Sequence, residues 1–247
     1  MSGHSHWSKV KRYKGVEDIR RGQLFSKLSK EITIAAKNGG GDPNFNPRLR
    51  TAIATARGQS MPSDKIENAI NKGTGKGEGS AIEEILYEGY GPGGVAILVE
   101  ATTDNKNRTA AEIRSTFSKN TGNLGGSVAW MFKRVATFFV ESNSEDAVLE
   151  ATLDAGAQDV KQLKEGVEVI CPLDRFDAVE KALKNASLTV REAKLVYLAD
   201  NLISVTDENA ASKLINLTEK LEEHDDTQNV FTNADISEEL MNKLHPA

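Results

Sequence analysis

The chain has 247 residues, 38% apolar and 27% charged, a length that suits one large domain or two to three small ones with ordinary cores. Its one cysteine, Cys171, excludes an intramolecular disulfide and a cysteine-built metal site and suits a reducing, cytoplasmic setting, while no apolar run approaches the roughly 18 residues of a membrane span and the N-terminus lacks a signal-peptide core. The net charge of -5 is split: residues 1–76 carry 15 Lys+Arg against 6 Asp+Glu, a net +9, and residues 77–247 carry 16 against 30, a net −14.

Residues 1–16 read as a polar arm, with Lys9, Lys11, Arg12 and Lys14 around Trp7 and Tyr13. A helix is predicted from about Glu17, because Leu24, Leu28, Ile32 and Ala35 recur along one stripe, and Asn38 followed by three glycines ends it. Asn46-Pro47 has the pattern of an N-cap followed by the first helical position. Leu49, Ile53 and Ala56 form the inner stripe of that second helix, which Gly58 closes. Met61-Pro62 opens a third helix with Ile66, Ala69 and Ile70 inward and Gly73 past its end. Three short helices with short connections predict a small bundle, and the glycine-rich stretch 73–79 reads as a linker.

Beyond it the pattern changes. Strands are predicted over 82–90 and 95–103 around a Gly-Pro-Gly-Gly turn, then a helix over 106–119 and a strand over 127–132. A β-α-β-β-α-β series follows: 136–141, 145–155, 159–163, 166–171, 174–186 and 190–198, the order of the ferredoxin-like split βαβ unit. A helix over 207–223 and a strand near 229–232 remain to complete the sheet begun at Ile82. The expected fold is therefore α+β: a basic helical domain (1–78), a middle α/β domain (79–134 plus 202–247), and a ferredoxin-like α/β domain (135–201) inserted in the middle one.

The charge split points to a polyanion held at one end and repelled by the body. Arg20 and Lys27 lie seven residues apart, as do Arg50 and Arg57, and Lys65 and Lys72, so each pair shares one face of its helix. With Arg21, Arg48 and the arm's Lys9, Lys11, Arg12 and Lys14, they are the candidate nucleic-acid contacts, expected to point outward as one patch. Other motifs carry less. Gly89, Gly91 and Gly94 spell GxGxxG, but a strand follows where a dinucleotide site needs a helix, so a hairpin turn is expected. His4 and His6 have no Cys, Asp or Glu nearby to complete a metal site. No nucleophile elbow occurs, and neither catalytic, cofactor-binding nor metal-binding residues are expected. The polar junction 104–109 is expected to cap its helix or to contact a partner.

A set of motifs in order resembles a known family. They are Gly3-His4-Ser5-His6-Trp7, Phe25-Ser26-Lys27-Leu28, Gly39-Gly40-Gly41-Asp42-Pro43, Asn46-Pro47-Arg48-Leu49-Arg50, Met61-Pro62 and Gly73-Thr74-Gly75. Tyr87-Glu88-Gly89-Tyr90-Gly91-Pro92-Gly93-Gly94, Thr103-Asp104-Asn105, Asn107-Arg108-Thr109, Gly122-Asn123-Leu124-Gly125 and Ser127-Val128-Ala129-Trp130-Met131-Phe132 follow, and Asn229-Val230-Phe231-Thr232-Asn233 lies near the C-terminus. Together they closely resemble the YebC/PmpR family of probable transcriptional regulators. The junction Gly125-Gly126 and the segment after Phe132 are shorter than that pattern. The resemblance implies three domains with the last inserted in the middle one, DNA binding and no catalytic activity. The family also includes a mitochondrial translational activator, and some bacterial members are linked to relief of ribosome stalling.

The expected function is that of a DNA-binding regulator of transcription, with the acidic α/β domains free to meet a protein partner and no membrane involved. The alternative is a ribosome-associated translation factor bound to ribosomal RNA. It gains from the connection 39–45, which is too long for a helix-turn-helix. An enzyme is the weakest reading, because no set of convergent polar groups is visible.

Overall fold

The computed structural model describes residues 21–77 and 82–244. The expected arm and the part of the first predicted helix before Arg21 lie outside them. The N-terminal part is three helices, α1 (Arg21–Gly39), α2 (Pro47–Gly58) and α3 (Ser63–Gly73). Leu28, Ile32 and Ala35 of the predicted stripe meet Leu49, Ile53, Ala56, Ile66 and Ala69 in one apolar cluster. Gly40, at φ 85°, turns the chain out of α1 in the left-handed region that only glycine adopts without strain. Asn46 then ties two helix ends together. Its Nδ2 donates to the carbonyls of Ala35 and Gly40, both at 2.8 Å, and its Oδ1 accepts the N–H of Leu49 at 3.1 Å. One buried side chain thus satisfies orphan groups at the end of α1 and at the start of α2.

Residues 32–36 of α1 are between 0% and 4% exposed, which a one-sided amphipathic helix cannot achieve. The second cover comes from the first sheet. Its elements in chain order are β1 (Glu83–Tyr90), β2 (Ala96–Thr103), α4 (Lys106–Lys119), β3 (Asn123–Leu124) and, after an excursion, α7 (Glu208–Glu223) and β9 (Thr227–Thr232). The strand order is β3-β1-β2-β9. All eight residues of β2 are buried. On one face Ile97, Val99 and Ala101 pack with Ile113 and Phe117 of α4 and with Leu214, Leu217 and Leu221 of α7. On the other, Ala96 and Leu98 meet Val128, Phe132, Tyr197 and Phe231. α1 also lies against β2 and β9, so the bundle docks on this sheet.

The excursion is β4 (Phe132–Glu141), α5 (Glu145–Thr152), β5 (Asp159–Leu163), β6 (Gly166–Pro172), α6 (Phe176–Asn185) and β7 (Thr189–Ala199). Its sheet has the order β5-β6-β4-β7 with every neighbouring pair antiparallel, which is the split βαβ arrangement. All its strands come from residues 132–199, between β3 and β9 of the first sheet, so this ferredoxin-like unit is inserted in the middle one. α5 and α6 cover one face through Val148, Phe176, Val179 and Leu183.

Two differences from the sequence reading stand out. The strand expected over 127–132 is absent: residues 129–131 make one 3-10 turn, and Phe132 opens β4 of the second sheet. A short pair β8 (Ile203–Ser204) and β10 (Ala234–Asp235), followed by a helix α8 (Glu238–Leu244), closes the described chain. α8 was not read from the sequence: Leu240, Met241 and Leu244 do fall at helical spacing and pack on the first core, but seven residues are too short a window for the period to stand out.

Candidate nucleic-acid interface

Lys9, Lys11, Arg12, Lys14 and Arg20 lie outside the described residues, and of Arg21 only the backbone, at the start of α1, is described. The other six expected cations divide in two. Lys27, Arg48 and Arg50 do not point freely outward, which corrects that expectation. Lys27 Nζ donates to the Glu222 carbonyl at the end of α7, 2.5 Å away. Burial pushes its amine down to about 8, against the pull of Asp225. Arg48 forks between two carboxylates: Nε meets Glu31 Oε1 at 2.8 Å and Nη1 meets Glu84 Oε2 at 3.1 Å. Its side chain is 19% exposed. Burial disfavours the charged guanidinium, but the bonds to Glu84 and Glu31 outweigh it and raise its proton affinity. Arg50 reaches the inserted unit, with Nη2 at 2.6 Å from Asp177 Oδ1 and 2.8 Å from Glu180 Oε2 on α6. Helical spacing put these residues on the right faces; it could not show that those faces pack on the acidic body.

Arg57, Lys65 and Lys72 are exposed, at the end of α2 and along α3, and Lys76 just beyond α3 is exposed too. Lys65 Nζ sits 5.4 Å from the centre of the Phe25 ring, a cation–π distance that leaves its charge at the surface.

Two cations that the sequence reading missed make further ties. Lys37 donates to the Ile82 carbonyl at 2.7 Å. Lys30 pairs with Asp226, and this carboxylate is the centre of a larger network. Its Oδ2 accepts from Thr109 Oγ1 at 2.7 Å, Arg108 Nη2 at 2.8 Å and Thr103 Oγ1 at 3.1 Å. Asn105 caps α4 by accepting the Arg108 N–H at 3.1 Å. The polar junction 104–109 thus caps α4 and reaches Asp226 through Arg108 and the buried Thr109, while residues 104–108 stay exposed. A pairing of residues so far apart in the chain as Lys30 and Asp226 leaves no local signal to read.

Two aromatic side chains, also missed, stand in solvent: Phe45 before α2 at 86% exposure and Trp130 at 70%. Trp130 is held by a bond from Nε1 to the Ser127 carbonyl at 2.9 Å. A cleft of about 570 Å³ opens between α2 and β7, lined by Arg50 and Arg191 but also by Glu165, Glu180 and Glu192, so it is no phosphate pocket. No cluster of three potential metal ligands occurs among the described residues, and no described helix is long and apolar enough to cross a membrane.

Family models match both parts of this architecture: the TACO1/YebC N-terminal domain over residues 5–76, and the TACO1/YebC second and third domain over residues 82–234. The chain belongs to the TACO1/YebC family. Its relatives in this family include a probable transcriptional regulatory protein of Methylacidiphilum infernorum, 53% identical over 245 residues and 98% of each chain. Another, of Desulfotalea psychrophila, bears the same description and is 50% identical over 248 residues and 99% of each chain. A crystal structure of a conserved hypothetical protein from Aquifex aeolicus matches with a TM-score of 0.85 at 42% identity, covering 95% of this chain and 98% of that one. With TACO1/YebC relatives matched almost end to end, the short junction at Gly125-Gly126 amounts to a few residues at most. The names of these relatives support the label of a regulator of transcription for this TACO1/YebC chain.

Proposed function

We propose that this chain regulates transcription by binding DNA through its N-terminal helical unit. The phosphate contacts in this reading are the exposed Arg57, Lys65 and Lys72 together with the basic arm: Lys9, Lys11, Arg12, Lys14, Arg20 and Arg21. The observation that carries it is the division among the bundle cations. Lys27, Arg48 and Arg50 are held in internal ties, yet exposed cations remain along α3 and at the end of α2. The rest of the chain is acidic, so a polyanion is confined to that end.

The test is binding of a labelled DNA duplex across a series of salt concentrations, with the triple variant Arg57→Ala, Lys65→Ala, Lys72→Ala beside the unaltered chain. Each lost phosphate contact lowers the log–log salt slope by about 0.9 on duplex DNA. Equal slopes for the two proteins remove this face of α3 from the interface. Binding to ribosomal RNA with no binding to duplex DNA puts the translational role in place of the transcriptional one.

A further inference from the structure

The helical unit is joined to its two neighbours in different ways. Its seam with the first sheet is the more closed: residues 32–36 of α1 and Asp226 are buried there, and Arg48 between Glu31 and Glu84 and Lys30 on Asp226 are half-buried. Its tie to the inserted unit is of another kind. Arg50 is 30% exposed, Asp177 is 70% and Glu180 is 37%, and beside them lies the open cleft between α2 and β7. The Arg50 Nη1 donates to the Pro43 carbonyl at 3.0 Å, which aims the guanidinium, and its carbon stands 6.0 Å from the centre of the Phe176 ring. The Arg50 Nε is buried with no hydrogen-bond partner among the described residues. Two carboxylate oxygens, 2.6 Å and 2.8 Å from one guanidinium nitrogen, occupy acceptor positions that the oxygens of a phosphate would otherwise take. Such half-exposed ion pairs are weak in water, so a polyanion at the bundle is able to displace this one.

We propose that Asp177 and Glu180 hold Arg50 as an internal substitute for phosphate, so that a nucleic acid on the bundle and the inserted unit on α6 compete for one guanidinium. Binding then releases α6 from α2 and opens the cleft, while the buried seam with the first sheet stays closed. The inserted unit acts as an autoinhibitory arm. Its root packs on the first sheet through the cluster of Phe132, Tyr197, Ala199 and Phe231. This inference rests on the proposed binding of a polyanion by the helical unit.

A double-mutant comparison on the full chain tests it, with a labelled DNA duplex as probe. D177N/E180Q is expected to bind the duplex about two- to fivefold more tightly than the unaltered chain, the range that an exposed ion pair allows. Adding Arg50→Ala to that variant should abolish the gain. Small-angle scattering should show the D177N/E180Q chain more extended, and the unaltered chain extending when duplex is added. A gain that survives Arg50→Ala is general relief of repulsion and overturns the competition, as does equal affinity of all forms. Binding by none of the proteins overturns both this inference and the proposed function, whereas binding without an Arg50-dependent gain overturns this inference alone. Thermal melting of each variant checks that the charge-neutral side chains leave the fold in place.

Discussion

Lys30 Nζ stands 2.7 Å from Asp226 Oδ1, across the seam between the helical unit and the first sheet, and the carboxylate is 6% exposed. Burial alone would favour the neutral acid. The bonds from Lys30, Thr109 and Arg108 outweigh it and hold the Asp226 carboxyl well below the usual carboxylate range. In the unfolded chain the same group titrates near about 3.9. A depressed native value means that the charged network stabilises the fold fully above that pH, and that its contribution is lost as pH falls below it.

Asp226→Asn is therefore expected to cost about 3 kcal/mol at neutral pH, because it leaves Lys30 and Arg108 facing an uncharged side chain at a buried position. It should also flatten the loss of stability in acid. Urea unfolding at neutral pH and at pH values below the ordinary aspartate range measures both. An acid limb as steep in the variant as in the unaltered chain would assign the acid sensitivity to other carboxylates.

Arg48 offers a second test of the same seam. Arg48→Ala leaves Glu31 and Glu84 unpaired, and a loss of about 3 kcal/mol is expected. Arg48→Lys should recover only part of it, since a point charge cannot fork to two carboxylates as a planar guanidinium does. Equal stability of the lysine variant and the unaltered chain would show that charge alone, without the fork, holds the seam.

Much of the fold was legible because it rests on local signals. The split βαβ unit announced itself through alternating and helical periods in the right order, and Asn46-Pro47 announced the start of α2. The family motifs supplied the same order independently. What was not legible depended on what covers a face. Gly73 reads as a helix terminator, yet it is the last residue of α3, and a Cβ there would come within 2.3 Å of the Thr33 carbonyl of α1. Its role is close approach of two helices, which spacing does not reveal. The candidate site shows the same limit. Lys27, Arg48 and Arg50 share the charge and helical placement of Arg57, Lys65 and Lys72, and only the packing of the bundle on distant acidic residues separates the two groups.

Asn46 is a cap whose loss reaches two helices at once. Asn46→Ala removes the acceptor for Leu49 N–H and the donor to the Ala35 and Gly40 carbonyls. A single N-cap lost to alanine costs about 1 kcal/mol, and leaving a buried carbonyl unsatisfied adds about 1–3 kcal/mol. A total near about 3 kcal/mol is expected. Asn46→Asp keeps the acceptor but sets a carboxylate oxygen against the Ala35 and Gly40 carbonyls at a buried position, so it should cost at least as much as the alanine. An aspartate variant as stable as the unaltered chain would show that the bonds to α1 contribute nothing.

The cations of the bundle should separate into two classes when stability and binding are measured on the same variants. Arg57→Ala, Lys65→Ala and Lys72→Ala change exposed side chains, for which stability shifts stay within about 0.5 kcal/mol. Each should lower the salt slope of DNA binding by about 0.9 if it contacts a phosphate. Lys27→Met and Arg48→Met should do the reverse: they alter the seam with the first sheet and shift unfolding, but leave the slope unchanged because neither charge is free to displace counterions. Lys27→Met should even stabilise near neutral pH. Its amine is held down to about 8, so the unfolded chain binds more protons between that value and the ordinary lysine range, and the charged buried amine costs stability below it. A slope that falls on Arg48→Met with the fold intact would mean that the seam opens when DNA binds, and the buried and exposed cations would then belong to one interface.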